Sequence, residues 1–233
     1  MTKLKRVILK LSGEAFGKSH EAVHTIAATV NTLRSSDIQV GIVVGGGNIF
    51  RGYQAQNFGF ERAAADSVGM LATVINGLVL AQALNSLGCS CLVMSSFAIP
   101  GITERYHWQS AKRYLEQGEF IVFVGGTGNP FFTTDTTGAL RASELDADLL
   151  LKATKVDGIY SKDPETYADA KKFGALTYEE ALNRDLKVMD GAAIALCRDN
   201  HIPIYVFNIF AEDGLKKAVF EQSGGTLVTG EKK

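Results

Sequence analysis

Proline occurs four times in 233 residues, cysteine three times and tryptophan once. With so little proline, and no Pro- or Ser-rich tract, no linker divides the chain. Three cysteines (Cys89, Cys91, Cys197) are an odd count in a chain of this length. A disulfide scaffold is therefore excluded, and reduced thiols of a cytosolic protein are expected. Charge of either sign is balanced, with 24 Lys+Arg against 25 Asp+Glu and a net charge of −1. No basic block is present, which excludes the electrostatic footprint of a nucleic-acid or anionic-membrane binder. The opening Met-Thr-Lys-Leu-Lys-Arg leads into an apolar run too short for a secretory signal. Residues 67–103 carry no charge, yet Thr73, Asn76, Gln82, Asn85 and several glycines interrupt them. No continuous apolar run reaches the ~18 residues of a membrane span. Leu71, Val74, Ile75, Leu78, Val79 and Leu84 instead fit a helix buried on much of its circumference, in the core or at a subunit interface.

What is present is alternation. Near-continuous apolar runs stand at 6–11, 38–44, 90–94, 120–124, 148–153, 202–207 and 226–228. Such runs mark strands covered on both faces, as in parallel sheets. Helical patterns lie between them at about 20–35, 61–87, 105–117, 136–146, 177–183, 190–200 and 213–221. The expected fold is a three-layer α/β/α sandwich around a mostly parallel sheet. Ligands in such sheets bind beyond the carboxyl ends of the strands, so the loops there carry the functional signal.

Three stretches come close to motifs they do not complete. "GEAFGKS" (13–19) is one residue short of a P-loop, with Ser12 where the first glycine belongs. "HEAVH" (20–24) matches the zinc-protease pair, but no further ligand follows nearby. Val23, Ile26, Ala27, Val30 and Leu33 form the buried stripe of that helix, which leaves the histidines on a solvated edge. "GGGNIFRG" (45–52) places Phe50 at the third glycine of the dinucleotide fingerprint, so a nicotinamide site is not expected. No Ser-His-Asp set, CxxC pair or metal-spaced ligand cluster competes. The paired thiols Cys89 and Cys91, like Cys197, belong in the core.

The strand ends nonetheless form a constellation. Lys10 precedes "LSG"; a triple glycine leads to Arg51; "GGTGNPFFTTD" (125–135) ends at Asp135; "TKVDGIYSKDP" (154–164) is rich in hydroxyls, Asp and Lys; and Asp190 opens a helix. Glycine turns, a Lys, an Arg and hydroxyls around one sheet edge describe a phosphate site better than an acyl or redox site.

In order along nearly the whole chain, "LKLSGEAFG", "VVGGGNIFRG", "GMLATVINGL", "GGTGNPFFTTDT", "LLKATKVDGIYSKDP" and "LKVMD" resemble the bacterial uridylate kinases of the amino acid kinase superfamily. The glycine loops are shared across that superfamily; "GTGNPFFTTD" and "KATKVDG" are characteristic of the uridylate branch. The resemblance implies a single domain, 1–233, with an acceptor part over about 1–147 and an ATP part over about 148–233. It implies phosphorylation of UMP by ATP, with Mg2+ held mainly through nucleotide phosphates rather than by protein ligands. A cytoplasmic homohexamer is implied as well, open to inhibition by UTP. Carried over by motif, Lys10, Leu11, Ser12 and Gly13 would line the ATP phosphates beside Gly47 and Arg51. Thr154, Tyr160 and Asp163 would hold ATP's base and ribose. Gly46, Asp66, Thr127, Gly128, Asn129, Pro130, Phe131, Phe132, Thr133 and Thr134 would hold UMP. Lys10, Arg51, Asp135 and Asp190 form the implied catalytic set, in which the two aspartates orient Lys10 or organise the metal–phosphate cluster. Relatives carry a longer effector-associated segment after Gly17; here only Lys18 and Ser19 precede the helix, so GTP activation is not carried over.

Plainer roles stand beside these. Asp66 could cap the long helix, Asp163 could start a turn before Pro164, and Arg51 could form a surface ion pair. Of Phe131 and Phe132, one is expected in the core and one against a base. A carboxylate or carbamate kinase, and a non-catalytic nucleotide sensor, are the competing readings. The two phenylalanines weigh against the first, and the set Lys10, Arg51, Asp135 and Asp190 against the second.

Overall fold

The computed structural model describes residues 4–17, 20–50, 59–184, 186 and 189–231. At its centre β1 (Arg6–Leu11) is buried over its whole length. It pairs in parallel with β2 (Gln39–Val44) on one side and β6 (Leu149–Thr154) on the other. Outward from β2 lie β5 (Phe120–Val124), β3 (Cys91–Ser95) and the two-residue β4 (Glu104–Arg105). Outward from β6 lie β10 (Ile204–Asn208), β11 (Thr226–Thr229) and β9 (Ala175–Thr177). All pairs in this nine-stranded sheet are parallel except β10 with β11. A separate antiparallel pair joins β7 (Ile159–Tyr160) to β8 (Lys172–Phe173). Every strand expected from the sequence is present within two residues of its expected span. The unanticipated ones, β4, β7, β8 and β9, have only two or three residues and so no periodicity to detect.

Side-chain alternation gives the sheet two covered faces. Val7, Leu9 and Leu11 of β1 pack with Ile26, Ala27 and Val30 of α1 (His20–Asn31) and Leu80 and Leu84 of α2 (Arg62–Ser86). On the opposite face Ile8 joins Leu115 of α3 (Trp108–Glu116), Ala139 and Ala142 of α4 (Thr134–Glu144) and Ile194 of α6 (Gly191–Asp199). Burying one such aliphatic side chain contributes about 1.5–3 kcal/mol. The short α5 (Tyr178–Asn183) adds Ala181 to this second face. Helix α7 (Gly214–Lys216) runs into a π-helical turn, Lys217–Glu221.

Helix α1 ends at Asn31 rather than near 35 and α3 begins at Trp108 rather than near 105; two other helices depart from expectation for identifiable reasons. Helix α4 begins two residues earlier than its apolar pattern suggested, because Thr133 Oγ1 accepts from the backbone N–H groups of Asp135 and Thr136. Helix α2 buries only part of the predicted apolar set: Val74 and Leu84 are buried and Leu78 packs against the core. Leu71, Ile75 and Val79 are exposed, whereas Ala72, Thr73, Asn76, Gly77 and Ala81 are buried. A Cβ on Gly77 would lie 2.2 Å from Val124 Cγ1, so only small residues allow the helix this close to β5. Leu71, Ile75 and Val79 are thereby left outside. By length and composition α2 could cross a membrane, but half of its most apolar stretch is packed inside the protein.

Candidate active site

The turns after β1 and β2 are in backbone contact. A Cβ on Gly13 would stand 2.4 Å from Gly47 N, and one on Gly46 would stand 2.9 Å from Gly69 O. Glycine is therefore required for packing as well as for ligand approach. Asn76, reaching from α2, donates to Gly45 O at 2.7 Å and to Asn48 Oδ1 at 2.7 Å, and so fixes the second turn.

Alternation on β1 turns Lys10 toward the α4 face, and the parallel register sets it directly beside Lys152 of β6. Two neighbouring ammonium groups, with side chains 8% and 12% exposed, would repel strongly in this setting. Asp135, in the first turn of α4, resolves the conflict. Its Oδ1 lies 2.7 Å from Lys10 Nζ, a contact of charge rather than an aligned hydrogen bond, and its Oδ2 accepts from Lys152 Nζ at 2.5 Å. Burial alone would raise the Asp135 pKa, but the Lys10 and Lys152 charges outweigh it and hold the carboxyl below its ordinary value. For Lys152 burial lowers the pKa; Asp135 opposes that shift and Lys10 adds to it. Gly138, one turn further along α4, would place a Cβ 3.5 Å from Lys10 Cβ, so the helix rests on the lysine stem. Lys152 is absent from the sequence-based site. Its signal was a lysine inside an otherwise apolar strand, the same signal that marked Lys10.

Asp190 serves another purpose. It caps α6 by accepting from Ala193 N at 2.9 Å, and it accepts from the hydroxyls of Thr133 and Thr136. The N-termini of α4 and α6 are thereby joined through one carboxylate, a charge suited to two helix starts. Its contacts are with these helix ends, whereas Asp135 is the aspartate that orients Lys10.

One cavity, about 360 Å³, opens beside the second glycine turn and takes in Gly46, Gly47, Asp66, Gly126, Asn129, Phe132, Thr133 and Thr134. Thr127, Gly128, Pro130 and Phe131 belong to the same loop but not to its lining. Phe131 has φ 72°, a left-handed conformation unusual for a bulky residue, and its N–H donates to Asp66 at 2.8 Å. The same carboxylate pairs with Arg62 at 2.9 Å, and the Arg62 guanidinium stands 5.7 Å from the Phe131 ring centre. Asp66 is thus not the helix cap, a position held by Glu61. Neither phenylalanine is in the core, contrary to expectation: Phe131 is 65% exposed and Phe132 53%. The left-handed turn sends Phe131 out beneath Arg62 and leaves Phe132 on the cavity side.

A second cavity, about 590 Å³, lies past β6 and is walled by Lys152, Thr154 and the segment 158–164. Both volumes fall in the range typical of small-ligand sites. Thr154 Oγ1 closes a tight turn with Val156 O at 2.6 Å, and Tyr160 donates to Asp157 at 2.5 Å. Asp163 initiates a turn, accepting from Glu165 N at 3.0 Å and Thr166 Oγ1 at 2.8 Å, while also lining the cavity. Leu11, Ser12 and Gly13 are not among the lining residues of this cavity.

Arg51 lies outside the described residues, as does the His20 side chain. His24 is exposed on α1. The three cysteines are buried, and burial pushes Cys89 up to about 11 and both Cys91 and Cys197 up to about 12. Among the described residues no group of three or more His, Cys, Asp or Glu could hold a metal. Asp135 is already shared by Lys10 and Lys152.

The amino acid kinase family model matches residues 5–208. The uridylate kinase of Protochlamydia amoebophila is 50% identical over 96% of this chain and 92% of its own length. That of Magnetococcus marinus is 48% identical, over 98% and 97% respectively. The solved UMP kinase of Bacillus anthracis superposes with a TM-score of 0.93 at 36% identity, covering 99% of this chain and 98% of that one. The chain therefore belongs to the amino acid kinase family, and within it to the uridylate kinases.

Proposed function

We propose that the protein transfers the γ-phosphoryl group of ATP to UMP, giving ADP and UDP for pyrimidine nucleotide synthesis. The observation that carries this reading is the Lys10–Asp135–Lys152 triad, with Lys152 lining one cavity and Asp135 following Thr134 of the other. UMP occupies the cavity edged by Gly46, Asp66, Gly126 and Phe132, with the Phe132 face available to the uracil ring. ATP occupies the other, its base and ribose against Thr154, Tyr160 and Asp163. On this assignment the acceptor part spans about 1–147 and the donor part about 148–233, meeting where β1 pairs with β6.

The attacking group is a phosphate oxygen. Its second pKa is near ~6, so at neutral pH it is largely dianionic and needs no general base. The remaining task is to hold two polyanions in line against their repulsion. Lys10 and Lys152 supply compact positive charge, and Asp135 keeps both at fixed positions before any ligand arrives. Arg51 adds a planar fork suited to phosphate oxygens. Mg2+, when bound with ATP, neutralises phosphate charge. The outward stripe Leu71, Ile75 and Val79 on α2 supports self-association, in line with a cytoplasmic homohexamer. Inhibition by UTP fits a site that already accepts a uridine nucleotide.

A coupled assay with ATP and a panel of UMP, CMP, acetylglutamate and aspartate tests the reading. Turnover is expected with UMP. Turnover of an amino acid acceptor but not of UMP overturns it.

A further inference from the structure

The loop 126–134 is fastened at three points. Asp66 accepts from Phe131 N and Asp190 accepts from the Thr133 hydroxyl. At the third point the anchor is neutral: Ser96 Oγ donates to Gly126 O at 2.6 Å. Behind that hydroxyl stands a buried charge. Arg141 is 3% exposed and donates through Nη2 to Ser96 Oγ at 2.9 Å. Its Nη1 donates to Glu144 Oε2 at 2.5 Å, and its guanidinium stands 3.6 Å from the Tyr106 ring centre. Tyr106 donates to the same Glu144 oxygen at 2.6 Å, and burial raises its pKa so that the hydroxyl stays a donor. None of Ser96, Tyr106, Arg141 and Glu144 lines either cavity.

An ion pair with only its arginine buried is weak evidence for a stability role. Its placement is more telling. Arg141 lies on α4, the helix that carries Asp135, and Gly126 lines the smaller cavity with φ 58°. We propose that Ser96 and Arg141 are positioning residues for the acceptor, acting through the Gly126 carbonyl without touching the nucleotide. A hydroxyl that accepts from a guanidinium donates more strongly, so the chain Arg141–Ser96–Gly126 sets the entry angle of the loop. It also ties that loop to the helix bearing the triad carboxylate. The proposal rests on reading this cavity as the UMP site.

Ser96→Ala removes the hydroxyl and leaves a carbonyl and a guanidinium N–H unsatisfied. KM for UMP is expected to rise roughly tenfold, with KM for ATP close to wild type and the thermal midpoint lowered by only a few degrees. Arg141→Lys keeps the charge facing Glu144 but loses the fork. Ser96 still donates to Gly126 in that variant, so a smaller rise in the same direction is expected. Parallel rises in both KM values, or a lowered midpoint with KM for UMP unchanged, overturn the proposal. Amide hydrogen exchange over 126–134 in the nucleotide-free protein is expected to quicken in Ser96→Ala. Unchanged exchange also overturns it, whichever nucleotide the enzyme uses. Failure of the wild type to phosphorylate UMP would count against the proposed function alone.

Discussion

At the scale of single residues the site is an electrostatic compromise. Lys10 and Lys152 stand side by side only because Asp135 sits between them. Lys10 was legible in the sequence because a lysine stood near the end of an apolar run, two residues before Ser12 and a glycine turn. Lys152 carried the same signal in "LLLKAT" but remained unread, since one strand does not reveal which strand it will adjoin. The pH response follows from the triad. The folded pKa of Asp135 lies below its ordinary 3.8, so between the two values the unfolded chain binds more protons. The stability this carboxylate contributes is complete above 3.8 and is lost as pH falls through the folded value. Lys152 has its folded pKa below 10.5, chiefly through burial. Its ammonium therefore loses its proton earlier than a free lysine would. We expect kcat to decline on the alkaline side before pH 10.5, and Lys152→Arg, whose charge persists, to move that decline to higher pH. A kcat–pH profile in which the alkaline limb stays put in the variant would refute the role given to Lys152.

Elements were legible where their pattern was long. The seven apolar strands and the seven helical stretches are present, whereas β7 and β8, two residues each, were hidden inside a loop rich in hydroxyls. Strand β7 forms part of the wall of the larger cavity, and support for the pair comes from far along the chain. Thr226, fully buried at the start of β11, accepts from Ile159 N at 2.9 Å and donates to Phe173 O. One hydroxyl thus fastens both strands. Partners 67 and 53 residues away could not be read from "TLV". Thr226→Val keeps the shape and removes both bonds. Its expected signature is a KM for ATP raised roughly tenfold while KM for UMP holds. Equal effects on both substrates would instead mean general destabilisation.

At the scale of the whole molecule, strands from 6–124 lie on one side of the β1–β6 seam and strands from 149–229 on the other. The smaller cavity is lined from the first set of segments and the larger from the second, with Lys10 and Lys152 paired at the seam. The outward face of α2 is the other large-scale feature. Leu71 and Ile75 are each 53% exposed and align with Val79 at helical spacing, so an apolar stripe is left uncovered among the described residues. Sequence periodicity marked these residues as apolar helix positions but could not tell core from contact face, because Gly77 and its small neighbours decide which side meets the sheet. Ile75→Glu is expected to lower the mass in solution toward the 25.1 kDa of one chain, as read by sedimentation equilibrium. A variant with the same mass as wild type would leave the stripe without a role in assembly.

The pairing of Lys10 with Lys152 also bears on how the sheet selects its own alignment. Sliding β6 by one position along β1 would invert its faces and drive the Lys152 ammonium into the aliphatic layer beneath α1 and α2. No Asp or Glu is among the buried residues described. A chain caught in that alignment would strand one charge in hydrocarbon and leave Asp135 with half its neutralisation. The same side chains that would hold phosphates thus also favour this strand alignment over its neighbours.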